Sequence, residues 1–328
     1  MDVRFTAEQH ALRDSVAQVV DRLGPHAVGQ LDDDERAAKL ESAVISSGWR
    51  ELRMAGDGRM PVASAVEVAI VAEELARGLA DAAFIGPILA TELRRLSAAN
   101  ADVRETIALR PKLAELTVPG EVAVAIDTLG ANAALVLAVD GTLKSVPIHS
   151  PQSEVDLTRP TRTVNPSLGQ VIGSIGAEDI TRCEALALAI TTADLVGTMQ
   201  GAIDLSVAYA KERRQYGAPI GSFQAVAHLL ADARVHLEGS RTALLHAAWA
   251  VDALEAPEAL VATSSAKAYA ARAAREVCEI AIQVHGGIGN TWECLAHVYL
   301  RRALLATDVL GGVGPNLTRV LAGVGIGG

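Results

Sequence analysis

Apolar residues recur at helical spacing through the first hundred positions. Leu12, Val16, Val19, Val20 and Leu23 fall on one face and predict an amphipathic helix. Thr6 stands just ahead of it, with Gln9 three residues later. That pair predicts a capping box, each side chain satisfying a free backbone N–H of the other residue. Gly24-Pro25 ends the run. Further helices are predicted over 35–46, over 64–79 with Val68, Val71, Ala72 and Leu75 on one face, and over 87–96. The stretch 48–61 is turn-rich.

The pattern changes near Thr117. Residues 122–126 and 134–139 are short apolar runs, and 143–148 resumes after Gly141, as strands joined by tight turns do. Pro147, Pro151, Pro160 and Pro166 exclude helix here, and 155–164 and 170–175 predict further strands. Helical periodicity returns near Asp179 and runs over 183–211, 222–252, 259–284, 291–307 and 315–321. Four long antiparallel helices after a β-insert predict a bundle. The expected fold class is mainly α with a small β-domain: an N-terminal helical domain over 1–110, an abbreviated β-domain over 111–178 and a C-terminal four-helix bundle over 179–328.

Composition narrows this picture. Half of the residues are hydrophobic but only 3% are aromatic, so the core is aliphatic and its helices approach closely. A net charge of −10 argues against nucleic acid as the main partner, and Asp32 to Glu35 read as a solvated loop or helix start. Cys183, Cys278 and Cys294 are odd in number and form no Cys-x-x-Cys pair, which suits a reducing cytoplasm. The polar start Met-Asp-Val-Arg-Phe lacks a signal-peptide core, and no apolar run is expected to reach the roughly 18 residues that membrane insertion requires.

Two motifs carry chemistry. Residues 212–224 read Glu-Arg-Arg-Gln-Tyr-Gly-Ala-Pro-Ile-Gly-Ser-Phe-Gln, and 283–289 read Gln-Val-His-Gly-Gly-Ile-Gly. Taken alone, Arg213 and Arg214 are a solvated helix end favoured by the helix dipole, and Gly286-Gly287 a plain C-cap. Together, at their spacing, they resemble the flavin-binding signature of the acyl-CoA dehydrogenases. The 5–13 and 71–77 segments are similar to the family as well; the β-region matches it poorly. In that family the Arg meets the FAD diphosphate of the neighbouring subunit, a task its permanent forked charge fits. The resemblance assigns FAD contact to Arg213, Gln215, Tyr216, Gln224, Gln283, Gly286 and Gly287.

The family also needs a carboxylate to remove the α-proton of an acyl-CoA thioester while the flavin takes hydride from the β-carbon. Its two positions fall here on Ala187 and Leu310, neither a carboxylate. Glu184 and Asp308 lie nearby, and both also suit ordinary surface or capping roles. His285 reads as a helix-end side chain bonded to backbone, and Trp292-Glu293 as packing features of the final helix. The family's Thr-Glu-Pro-x-x-Gly-Ser-like segment, which meets the flavin ring, is missing between Thr117 and Ile175. The resemblance therefore implies a subunit without its own catalytic residues. It would share FAD with a homologous partner in a heterotetramer acting on bulky steroid-type thioesters, with an electron-transfer flavoprotein as acceptor. A self-sufficient dehydrogenase with a relocated base, and a flavin-free scaffold or acyl-CoA-binding protein, are the alternatives.

Overall fold

In a computed structural model, residues 4–100, 104–151 and 155–326 are described. Four helices lead: α1 (Ala7–Leu23), α2 (Asp34–Ser46), α3 (Ala65–Arg77) and α4 (Ile85–Leu96). The capping box ahead of α1 forms in both directions, Gln9 N donating to Thr6 Oγ1 at 3.2 Å and Thr6 N to Gln9 Oε1 at 3.0 Å. Seven strands follow: β1 (Glu105–Leu109), β2 (Thr117–Val118), β3 (Ala123–Ala125), β4 (Ala133–Ala138), β5 (Thr142–Pro147), β6 (Arg162–Val164) and β7 (Gln170–Ser174). Then come α5 (Ala177–Glu212), a hairpin of β8 (Arg214–Gln215) and β9 (Ala218–Pro219), α6 (Gln224–Ala253), α7 (Ala256–His285), α8 (Ala296–Asp308) and α9 (Val313–Gly323).

The sheet runs in the order β6-β3-β1-β4-β5-β7, with β2 also beside β4. β1 and β4 are parallel, pairing Ile107 with Leu135, and the other neighbours along that order are antiparallel. Period-2 alternation divides its side chains. Ile107, Leu109, Leu135, Leu137 and Leu143 join the large core shared with the helices, while Ala108, Ala134, Val136 and Val146 build a smaller cluster on the other face.

Several expectations are corrected. The sheet begins at Glu105, ahead of the change near Thr117. Every β1 residue is buried, so the strand lacks the alternation that marks a half-exposed one. Its Glu105 is neutralised by Arg94 at 2.6 Å. Of the strand expected over 155–164, only Arg162–Val164 forms, and residues 152–154 lie outside the described ones. Ahead of it Asp156 accepts from Thr158 N at 2.8 Å and Thr158 Oγ1 at 2.7 Å, a local turn that outcompetes a ladder. The fourth helix, expected over 291–307, starts only at Ala296 and has 13 residues beside three of 36, 30 and 30, while the segment expected over 315–321 forms α9, of 11 residues. Finally, α5 does hold a stretch long and apolar enough to cross a membrane, but nearly all of it is buried within the protein.

Burial of α5 follows from packing on every side. Against α3 the approach is so close that a Cβ on Gly197 would meet Glu73 O at 2.0 Å, and one on Gly201 would meet Arg77 O at 2.1 Å. Only glycine fits at either position.

Lys267 of α7 is fully buried and its Nζ donates to Ala306 O of α8 at 2.5 Å. Burial drives its pKa down from 10.5 to about 7, against the pull of Asp194 and Asp308. A buried ammonium costs stability wherever it stays charged. Below the folded value the lysine is charged in both states and the full penalty applies. It is relieved as pH climbs towards 10.5, where the unfolded chain also loses its proton. Lys267→Met should therefore stabilise the chain by on the order of 3 kcal/mol at or below neutral pH. Thermal melts of both proteins across that window should show the gap narrowing as pH rises; a constant gap would refute the assignment.

Candidate functional site

The two sequence motifs meet at one end of the bundle. α5 and α7 both finish there, and Tyr209 in the last turn of α5 stacks on His285, the last residue of α7, at 4.5 Å between centroids. His285 Nδ1 is 2.7 Å from Ala281 O, a backbone-bonded helix end, and burial lowers its pKa despite that bond. From this junction Arg213 leads into the β8–β9 hairpin, and Gly286 opens the 3₁₀ turn Gly286–Asn290.

All seven residues assigned to FAD contact are solvent-exposed at this end. Arg213 caps α5 through its backbone, N–H to Tyr209 O at 2.8 Å, while its guanidinium meets no partner among the described residues. Gln215 lies on β8, and Gln224 is the first residue of α6. Gly286 has φ 64° and ψ −140°, a conformation for glycine alone, and its N–H caps α7 on Gln283 O and Ile282 O. Gly287 has no such local reason, since a Cβ there would meet nothing within 4 Å. Its missing side chain leaves backbone open to an approaching group.

Tyr216 combines positive φ with near-complete exposure. It and Gly217 form the two-residue turn between β8 and β9 with φ of 52° and 81°. Such turns favour Asn-Gly, and a bulky residue at positive φ is strained. Strain of that kind persists where surroundings demand it, yet Tyr216 is 96% exposed and touches only the edge of Phe223, at 6.3 Å. No hydrogen bond or ion pair of its side chain among the described residues offsets that strain.

The positions expected to lack a base are sealed. Ala187 and Leu310 are fully buried. Arg319 of α9, a residue the sequence did not single out, ties down Leu310 and the surroundings of Ala187. It pairs with Glu184 at 2.9 Å and donates to Leu310 O at 2.9 Å and Ala114 O at 3.0 Å. Glu184 is thereby committed to a structural ion pair, and Asp308 sits exposed at the end of α8.

The junction between sheet and bundle is closed by charge. Asp194 of α5 binds Arg302 of α8 at 3.0 Å and Arg159 at 2.8 Å, and Arg302 also donates to Ala80 O and Thr158 Oγ1. Burial raises the Asp194 pKa, but the two arginines outweigh it and hold the carboxyl below its usual range. The remaining cavity, lined by Asp127, Arg159, Asp194 and Val309 among others, has a volume of about 30 Å³. That is room for a water, against the several hundred Å³ of a typical cofactor pocket. A lone Asp inside the apolar run of α5 and an Arg on the buried face of α8 were the available signals of this cluster.

Comparison with known proteins agrees with these motifs. Residues 185–315 match the family model described as the acyl-CoA dehydrogenase C-terminal domain. The acyl-CoA dehydrogenase IpdE2 of Mycobacterium tuberculosis is 30% identical over 319 residues, covering 90% of this chain and 91% of that protein. Among solved structures, the Tcur3481-Tcur3483 steroid ACAD variant superposes with a TM-score of 0.81 at 20% identity, covering 97% of this chain and 98% of its own. The ChsE4-ChsE5 complex from Mycobacterium tuberculosis does so at 0.80 and 23%, covering both chains completely. At those identities the structures establish the shared fold.

If Tyr216 is strained without internal return, Tyr216→Asn should leave the isolated chain unchanged or more stable, by up to about 1 kcal/mol. A clear drop in the midpoint of urea unfolding would show instead that Tyr216 anchors its own chain.

Proposed function

The chain belongs to the acyl-CoA dehydrogenase family, and from that premise we propose that it is the non-catalytic subunit of a heteromeric, FAD-dependent member. One observation carries the proposal: the FAD-contact motif is displayed on an open face, strained at Tyr216, while the sheet–bundle junction of the same chain is closed. A chain that bound its own flavin ring would need the reverse.

In this reading Arg213 forks onto the FAD diphosphate, Tyr216 packs on the adenosine end, Gln215, Gln224 and Gln283 supply hydrogen bonds, and Gly286 and Gly287 admit the cofactor to backbone. FAD, when bound, accepts the hydride from the β-carbon of the acyl-CoA thioester. The partner subunit holds the flavin ring, the carboxylate that removes the α-proton, and the acyl chain. Support for unlike subunits comes from Tcur3481-Tcur3483 and ChsE4-ChsE5, both named as pairs. Two copies of each subunit would make a heterotetramer. The word steroid in the first of these names supports bulky ring-bearing thioesters as the substrate class. An electron-transfer flavoprotein as acceptor and a cytoplasmic location complete the proposal.

The test is flavin stoichiometry. Purified alone, the chain should carry almost none. Co-expressed with a homologous, catalytic acyl-CoA dehydrogenase subunit from the same organism, the pair should hold one FAD per heterodimer. A full flavin complement on the isolated chain would overturn the reading. Within the complex, Arg213→Ala removes a charge-assisted contact and should weaken FAD retention about tenfold or more. Unchanged retention would remove Arg213 from the diphosphate.

A further inference from the structure

The open bundle end carries a feature that flavin contact leaves unused. Trp292 follows the glycine turn and was expected to pack inside the final helix; it is 64% exposed. The reason is local. Thr291 Oγ1 donates to Ile288 O at 2.8 Å and accepts from Glu293 N at 3.3 Å, which prolongs the turn and carries the indole outward.

Although exposed, the indole is held. The Arg301 guanidinium lies 5.7 Å from its centroid, and His297 meets it edge-on at 4.9 Å and 78°. His297 is itself nine-tenths buried, and its Nε2 has no partner among the described residues. An exposed aromatic fixed by a buried neighbour has lost its rotamer freedom before any contact is made, the condition under which aromatic and arginine side chains dominate an interface.

Charge indicates what arrives. Arg301 donates only to Val155 O, at 3.4 Å, and Arg214 only to Gly217 O, at 3.5 Å. With Arg213, this end carries guanidinium groups that meet no carboxylate among the described residues, on a chain of net charge −10. Elsewhere arginines such as Arg53, Arg94 and Arg302 are paired with carboxylates. Arg213 is accounted for by the diphosphate. Arg301 is not.

We propose that Trp292 and Arg301 form the anchor on which the partner subunit docks, the partner presenting carboxylate side chains to Arg301 and an apolar contact to the indole. The proposal rests on the paired-subunit reading and deepens it. Its residues act on the partner protein, where Arg213, Tyr216 and the glycines act on the cofactor.

The experiment uses both full-length chains, the partner being the homologous subunit that loads FAD on co-expression, and measures their dissociation constant by analytical ultracentrifugation. Trp292→Ala should weaken association about tenfold or more, and Arg301→Glu, a change at the surface, should weaken it similarly and flatten its salt dependence. Well above the dissociation constant, the assembled Trp292→Ala complex should keep its full flavin. Association of both variants within about twofold of wild type would overturn the anchor. So would loss of flavin from the assembled Trp292→Ala complex, which would make the indole a cofactor contact. If Trp292→Ala lowers the melting temperature of the free chain, Arg301→Glu decides the matter alone. Failure of the two wild-type chains to associate would sink the paired-subunit reading itself, before any variant is compared.

Discussion

The Asp194 carboxylate is the point on which the architecture turns. It sits fully buried in the middle of the longest helix and would be intolerable there unpaired. Arg302 answers it from α8 and Arg159 from the loop before β6. Through Arg302 the cluster reaches Ala80 O, between α3 and α4. One ion cluster thus joins N-terminal helices, sheet and bundle. Each part must be in place before the charges are satisfied, so the cluster specifies one arrangement of the parts while filling the crevice between them.

That closure and the open end of the bundle are two sides of one design. Arg319 holds Glu184, the Leu310 loop and Ala114 together, so Glu184 is bound in an ion pair while Asp308 stays exposed. The other site carries features of its own that cost the chain something locally. Tyr216 is strained and exposed, Gly287 leaves backbone bare, and Trp292 holds an indole in solvent. A protein that departs from local consistency in one place usually does so for function.

Much of the helical framework was legible in the chain. The Thr6–Gln9 capping box and the apolar face of α3 are local signals, and the structure realises them where the pattern puts them. The misses share a physical cause. β1 is buried on both faces, so its sequence carries no alternation to read. The segment ahead of β6 turned because Asp156 accepts from Thr158 two residues on, while Arg159 pairs with Asp194 of α5. Trp292 faced outward because a threonine turn delayed α8.

By itself the sequence determined the fold class, the family and the set of residues proposed to touch FAD, because periodicity, caps and motif spacing are written over a few turns of chain. It also determined that no carboxylate stands at Ala187 or Leu310. Tertiary structure decided the rest: that these motifs converge on one open end, that Glu184 is bound by Arg319, and that charge closes the sheet–bundle junction. The first depends on helix packing that brings distant chain ends together, and the other two on charges finding partners more than a hundred residues away; both exist only once the chain has folded.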